Sequence, residues 1–393
     1  MDEKNSHNQQ RWQKNNSLSK MKIEFYKHNI DDIDIKNLIK VLKGFFLTTG
    51  ETVALFEEKL AKYLGLKYAI GLMSCTDALH LSLSYFNIGQ GDEVITTPLT
   101  YTATIDAIEY VGAKPVFVDV EVATGNINAD LIEKAITKKT KAILLVHLYG
   151  HMCDMLKIRK IADKYKLRII EDAAHCLEGK RDDIGPGQIS DIACFSFYAT
   201  KNITCGEGGA IATNNKDIYA WFKKARSHGL TKDVSERYGK VYGQYDKDFL
   251  GFKCNMSNIQ AALLLHQLDM ANLRLRKRIK ISQKYDRAFK KNKNITIHKI
   301  LDNTLSARHL YTILIRKDRD QIIEKLKNMG INTMINYQSI HLLKYYKEKY
   351  NFKKGDFPIA ENISEKTLTI PLYSKLKSKE VDYVIKTIKL VNQ

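Results

Sequence analysis

The chain has 393 residues, 44% hydrophobic and 27% charged, ordinary for a globular protein and enough for one large and one small domain. No run of about 18 apolar residues is present, which excludes a membrane-spanning helix, and residues 1–20 are polar, without the apolar core of a signal peptide, so they read as a disordered leader. The net charge is +19, and residues 271–393 alone hold 28 Lys/Arg against 11 Asp/Glu.

Nearly all the excess therefore lies in that stretch, where the lysines are spread rather than blocked, which suits a solvated face or the steering of a small anionic substrate better than a nucleic-acid site. Six cysteines, Cys75, Cys153, Cys176, Cys194, Cys205 and Cys254, show no CxxC pair and no zinc spacing. They fit inert thiols in the cytoplasm and give no metal site.

Apolar runs and helical patterns alternate between about residues 65 and 215. Ser74-Cys75-Thr76-Asp77 opens a helix whose apolar face is Leu79, Leu83 and Phe86. Buried strands are expected at Glu93–Thr96, Pro115–Val118, Ala142–Val146 and Leu167–Ile170, and two more at Ile192–Phe197 and Gly209–Thr213. Between the third and fourth, Ile158, Ile161, Ala162 and Tyr165 mark an amphipathic helix. This is an α/β pattern, a mainly parallel sheet covered on both faces. From Ser257 a long helix runs through Leu273 and links to a smaller unit. There Leu310–Ile315 reads as a strand, Asp318–Met329 as a helix stopped by Gly330, and Ser378 as the start of a last helix with Val381, Val384, Ile385 and Ile388 inward.

The chemistry concentrates between Ile169 and Asn214. Glu171-Asp172 ends a buried strand, where open α/β sheets bind ligands, although Asp172 alone is equally a helix cap. Ser196, Lys201 and the turn Cys205-Gly206-Glu207-Gly208-Gly209 then bring a hydroxyl, an amine and a flexible loop to another strand end. Pyridoxal phosphate (PLP) needs such parts. Its aldehyde condenses with a lysine that later moves protons. A buried carboxylate keeps the ring nitrogen protonated. Its phosphate takes N–H groups at a helix N-terminus, here that of Ser74.

From about Ile23 to Val391 the chain resembles the DegT/DnrJ/EryC1/StrS sugar aminotransferases. The resemblance rests on Leu47-Thr48-Thr49-Gly50, Gly91-Asp92-Glu93-Val94-Ile95, Gly112-Ala113-Lys114-Pro115-Val116-Phe117-Val118-Asp119, Glu171-Asp172-Ala173-Ala174-His175, Ser196-Phe197 with Lys201 and Gly206–Gly209, and Arg226-Ser227-His228-Gly229.

It implies the type I (aspartate aminotransferase) fold, with a large PLP domain over residues 21–256 and a linking helix and small domain over 257–393. It implies a homodimer with shared sites, glutamate as donor, and a nucleotide-diphosphate keto-sugar as acceptor, with no nucleic acid and no membrane. Lys201 would be the Schiff-base lysine and Asp172 the partner of the pyridine nitrogen. Tyr101 would stack on the ring, or else be a core aromatic. Cys75, Thr76 and Ser196 would meet the phosphate, and Ala174 would back the ring. His175, where Gln is frequent, would lie near the ring hydroxyl or merely start a helix. Lys253 stands where many members place Asn and would reach the partner's phosphate. Thr49, His309 and His341 lie in segments that approach the sugar, the two histidines being equally compatible with structural roles.

The Lys253 and Lys201-Asn202-Ile203-Thr204-Cys205 pattern is similar to enzymes making 4-amino-4-deoxy sugars. Amination at C3 and a PLP-dependent sugar dehydratase are the alternatives. The dehydratase carries His at the lysine position, which Lys201 argues against. A DNA-binding regulator is the remaining class, with no helix-turn-helix pattern to carry it.

Overall fold

The computed structural model describes residues 21–231 and 245–392, so the expected leader lies outside the described residues. Strands β1 (Tyr68–Leu72), β2 (Glu93–Thr96), β3 (Lys114–Phe117), β4 (Thr140–Val146), β5 (Arg168–Asp172), β7 (Ile192–Ser196) and β8 (Gly209–Thr213) form one seven-stranded sheet in the order β1-β8-β7-β5-β4-β2-β3. Only β8 runs against its neighbours, so the sheet is mixed and mainly parallel, the arrangement of type I PLP enzymes. Six of the strands coincide within a few residues with runs marked by hydrophobicity. β1 does not stand out, because Tyr-Ala-Ile-Gly-Leu is short and carries a glycine. Gly71 leaves room there for Met256, whose sulfur a Cβ would crowd at 3.0 Å.

Strand alternation sorts side chains between two cores. Ala142, Leu144, Ile170, Ile192, Cys194 and Ile211 face the helices Cys75–Tyr85 and Lys216–Ala225. Ile143, Leu145 and Ile169 face the opposite layer with the helix Met155–Tyr165, and Ala193, Phe195 and Ala210 pack there against the helices Glu51–Leu64 and Asn258–Asp269. Three of the four residues expected on the Met155–Tyr165 face are buried; Tyr165 instead points outward and donates to Glu133 at 2.6 Å.

The helix expected from Ser257 through Leu273 is two helices, Asn258–Asp269 and Ala271–Phe289, meeting at Met270. A Ser257/Gln260 capping box starts the first. No local residue signals the break. The second helix carries two buried arginines: Arg274 donates to Asn29 O at 2.9 Å and Arg278 pairs with Glu178 at 2.6 Å.

A smaller antiparallel sheet of β9 (Ile295–Ile297), β11 (Tyr311–Ile315) and β12 (Thr367–Ile370) packs with the helices Arg319–Asn328 and Ser378–Val391. Val381, Val384 and Ile388 are buried as expected, Ile385 partly so. Gly330 ends the Arg319–Asn328 helix at φ +81 and accepts from Ile23 N at 2.8 Å, so the first described residues join this smaller unit. A short ribbon of β6 (Lys180–Arg181) and β10 (Thr304–Leu305) then ties the two units together.

Candidate active site

The same alternation builds the site. Asp172 is two residues beyond Ile170, Ser196 two beyond Cys194, and Gly209 two before Ile211, so all three lie on the face that carries the Cys75–Tyr85 helix. Glu171 points to the other side, where it pairs with His147 at 2.6 Å in complete burial. Of the two neighbouring acids, only Asp172 belongs to the site.

Gly209 decides how close the helix comes. A Cβ there would stand 2.2 Å from the Ser74 carbonyl carbon and 2.5 Å from Cys75 N, so glycine lets the helix N-terminus rest on β8. Ser74 Oγ takes the Asp77 N–H at 3.0 Å. The N–H groups of Cys75 and Thr76, at the first two helical positions, have no carbonyl within the helix and stay available to an anion.

Asp172 is buried, and burial pushes its pKa upward; the Thr104 hydroxyl at 2.8 Å and the Ala174 N–H at 3.1 Å pull it back. Lys201 closes the opposite side. Its loop is pinned by Phe197 N to Gly208 O at 2.8 Å, Cys205 N to Phe197 O at 3.1 Å and the Thr204 hydroxyl to Phe197 O at 3.0 Å. Desolvation lowers the Lys201 amine from 10.5 to about 8, against the opposing pull of Asp172 and Cys75. An amine so placed is a nucleophile and a proton carrier near neutral pH. Cys75, beside Asp172, is held neutral because burial drives its thiol well up.

Four aromatic rings line the approach. Tyr101 is 62% exposed, so it is not a core residue, and its ring lies 6.0 Å from Tyr337. Tyr337 Oη is 3.1 Å from His175 Nε2, and the His175 ring is 4.4 Å from that of His309. Tyr149 N donates to His175 Nδ1 at 3.3 Å, which leaves the His175 proton on Nε2 toward Tyr337. Burial and the Lys201 charge push both imidazoles well below the usual range. Outside Tyr101 opens a cavity of about 470 Å³ lined by Thr100, Ile323, Met334, Tyr337 and Gln338, among others.

Three expected residues sit elsewhere. Lys253 is bonded to Asn255 Oδ1, and Asn255 donates to Thr49 Oγ1 at 2.6 Å. Thr49 in turn donates to Met256 O at 2.6 Å, so this buried hydroxyl is occupied within its own cluster. His341 is fully buried, its Nε2 2.9 Å from Glu361, in contact with none of the Lys201 group. Thr104, Tyr337 and Glu178 are the members that sequence reasoning missed. Thr104 lies three residues past Tyr101 in the helix Ala103–Tyr110, a spacing that marks it only once Asp172 is known to face that helix. Tyr337 and Glu178 carry no local signal.

An amine, a buried carboxylate, a free helix N-terminus beside a required glycine, and an exposed aromatic ring converge at one sheet end. These residues fit PLP and define a PLP-dependent enzyme of the aminotransferase type. The model of the DegT/DnrJ/EryC1/StrS aminotransferase family matches residues 28–389. The UDP-4-amino-4,6-dideoxy-N-acetyl-beta-L-altrosamine transaminase of Campylobacter jejuni (serotype O:23/36, strain 81-176) is 35% identical, over 92% of this chain and 96% of its own. GDP-perosamine synthase of Escherichia coli O157:H7 is also 35% identical, covering 86% and 90%. The PLP form of Spr1654 from Streptococcus pneumoniae superposes with a TM-score of 0.88 at 32% identity, covering 95% and 99%. The chain belongs to the DegT/DnrJ/EryC1/StrS aminotransferase family and is a PLP-dependent sugar aminotransferase.

Proposed function

We propose that the enzyme carries an amino group from glutamate to the C4 ketone of a nucleotide-diphosphate sugar, giving a 4-amino-4-deoxy sugar for surface polysaccharide or glycoconjugate synthesis in the cytoplasm. The observation that carries this reading is the Lys201 amine, lowered to about 8 and set against buried Asp172 at one sheet end. The likeness to a relative named for a 4-amino sugar supports C4 over C3, and relatives named for UDP and for GDP sugars leave both nucleotides to be tried.

PLP, when bound, supplies the electron sink for loss of the proton beside the transferred nitrogen. Lys201 Nζ takes that proton and returns it. Asp172 holds positive charge at the inner end of the site, with Thr104 and the Ala174 N–H fixing its two oxygens. The Cys75 and Thr76 N–H groups and the Ser196 hydroxyl bind phosphate. Tyr101 and Ala174 would hold the cofactor ring, while His175 and His309 close the inner wall.

A homodimer completes the picture, with the expected cofactor domain of residues 21–256 and small domain of 257–393 adjusted at one end, since Met21 and Ile23 pack in the small unit's core. Phe45 is 88% exposed, and Leu42, Leu47, Ile33 and Ile39 are also exposed, an apolar surface that a second copy would cover. Lys253, whose amine is bonded to Asn255 on its own chain, would then serve the partner's phosphate site. Among the described residues no helix is long and apolar enough to cross a membrane.

The test is incubation with glutamate and a panel of UDP-, dTDP- and GDP-linked 4-keto and 3-keto sugars, with product NMR. An aminated C3, or ammonia release without an aminated sugar, would refute the assignment. Borohydride should trap cofactor on wild type and not on Lys201→Ala; an equal adduct on both would remove Lys201 from its role.

A further inference from the structure

One chain of buried contacts fixes a single proton. The Glu178 carboxylate can only accept. Its Oε1 takes Arg278 Nη2 at 2.6 Å and its Oε2 takes Asn202 Nδ2 at 2.9 Å, with the Glu178 and Arg278 side chains almost entirely buried. The same Asn202 nitrogen lies 3.4 Å from Ala307 O, a second acceptor. The amide orientation follows: Nδ2 faces the two acceptors, and Oδ1 faces His309 Nδ1 at 3.2 Å. A carbonyl oxygen cannot donate, so Nδ1 carries the hydrogen, and in the neutral ring Nε2 is then bare. That Nε2 has no partner among the described residues.

The chain ends where the chemistry is. Asn202 follows Lys201 directly, and its carbonyl is held by Asn29 Nδ2 at 3.0 Å. The His309 ring lies against His175, which carries the opposite tautomer, hydrogen on Nε2. The neighbouring cations Lys201 and Arg278 oppose protonation of His309. They equally oppose an ammonium as its partner, so a neutral hydroxyl is the donor this nitrogen suits.

We propose that Arg278, Glu178 and Asn202 are positioning residues that lock His309 as a neutral imidazole with Nε2 bare, and that this nitrogen accepts a hydrogen bond from a hydroxyl of the sugar substrate. The hydroxyl contact rests on the sugar-aminotransferase reading; the tautomer does not. The relay requires that residues 178, 202 and 278 act together through contacts that no local sequence pattern announces.

The tautomer is measured on apoenzyme labelled with 15N-histidine, by two-bond proton–nitrogen correlation, with the His309 signal identified by its loss in His309→Gln. A pyrrole-type Nδ1 and a pyridine-type Nε2 are expected near pH 7.5, and Asn202→Ala should populate the Nε2–H form. The reverse assignment in wild type, or an unchanged one in Asn202→Ala, would overturn the relay. No substrate enters that experiment, so its outcome is independent of which sugar the enzyme uses. In His309→Leu, which keeps the packing, KM for the keto-sugar should rise about tenfold, the worth of one lost hydrogen bond. An unchanged KM would overturn the hydroxyl contact.

Discussion

Replacing Asp172 with asparagine should shift the pH at which Lys201 becomes reactive, and the direction follows from the site. The Lys201 amine is lowered from 10.5 to about 8 chiefly by desolvation, while Asp172 and Cys75 pull it upward. At pH 7 an amine with pKa near 8 is free in roughly a tenth of molecules, and one at 10.5 in roughly 3 of 10⁴, a difference on the order of 300-fold. Only the free amine condenses with an aldehyde. The rate at which apoenzyme captures PLP should therefore climb about tenfold per pH unit below 8 and level off above it. Asp172→Asn removes the negative charge that does most to oppose desolvation, so its midpoint should fall below the wild-type value. Stopped-flow absorbance across pH 6 to 10, with Lys201→Ala as blank, measures both curves. A wild-type midpoint near that of ordinary lysine, or an Asp172→Asn curve that stays put or moves up, would refute the electrostatic coupling.

Thr104→Val keeps the shape but removes the hydroxyl on Asp172 Oδ2, and turnover should drop about tenfold with the cofactor still bound; wild-type kcat would show that Thr104 plays no part in holding that carboxylate. Asp34 is buried with Oδ1 unpartnered, and desolvation raises it to about 6. The folded state thus binds more protons than the unfolded one between about pH 4 and 6, so stability from this group is lost as pH rises through 6. Asp34→Asn should then stabilise by about 1–2 kcal/mol at pH 8 and much less at pH 4.5, taking 1.36 kcal/mol per unit and discounting for nearby Arg274 and His266; equal urea midpoint shifts at both pH values would count against this. The basic residues of 271–393, 28 against 11 acidic, should speed capture of a diphosphate. Raising salt past a Debye length of roughly 8 Å should lower kcat/KM more than kcat, and a flat kcat/KM would leave the lysines as plain solvated surface.

How much was legible beforehand depended on how local each signal was. Buried strands showed as apolar runs because both faces of the sheet are covered, and the start of β8 at Gly209 could be placed because Gly206-Glu207-Gly208 marks a turn just before it. Asp172 and Lys201 stood out through their positions after such runs. The resemblance to a family supplied the roles of Tyr101, Cys75, Thr76 and Ser196, which no periodicity marks. The break at Met270 escaped notice because neither glycine nor proline stands there to announce it.

The sequence by itself determined the alternation that makes a covered, mainly parallel sheet, the helix start at Ser74, and the lysine, carboxylate and glycine-rich turn that the chemistry needs. Those features are set by side chains within a few residues of one another. Tertiary structure alone decided that Asp172 rather than Glu171 faces the helix N-terminus, that His341 is buried on Glu361 while His309 joins His175, and that Tyr337 closes the wall beside them. Each of these choices depends on which strand face or which distant loop meets the site. The proton on His309 is the extreme case, because it is placed by residues 178, 202 and 278, brought together only when Arg278 of the second long helix reaches Glu178 and the Ala307 carbonyl.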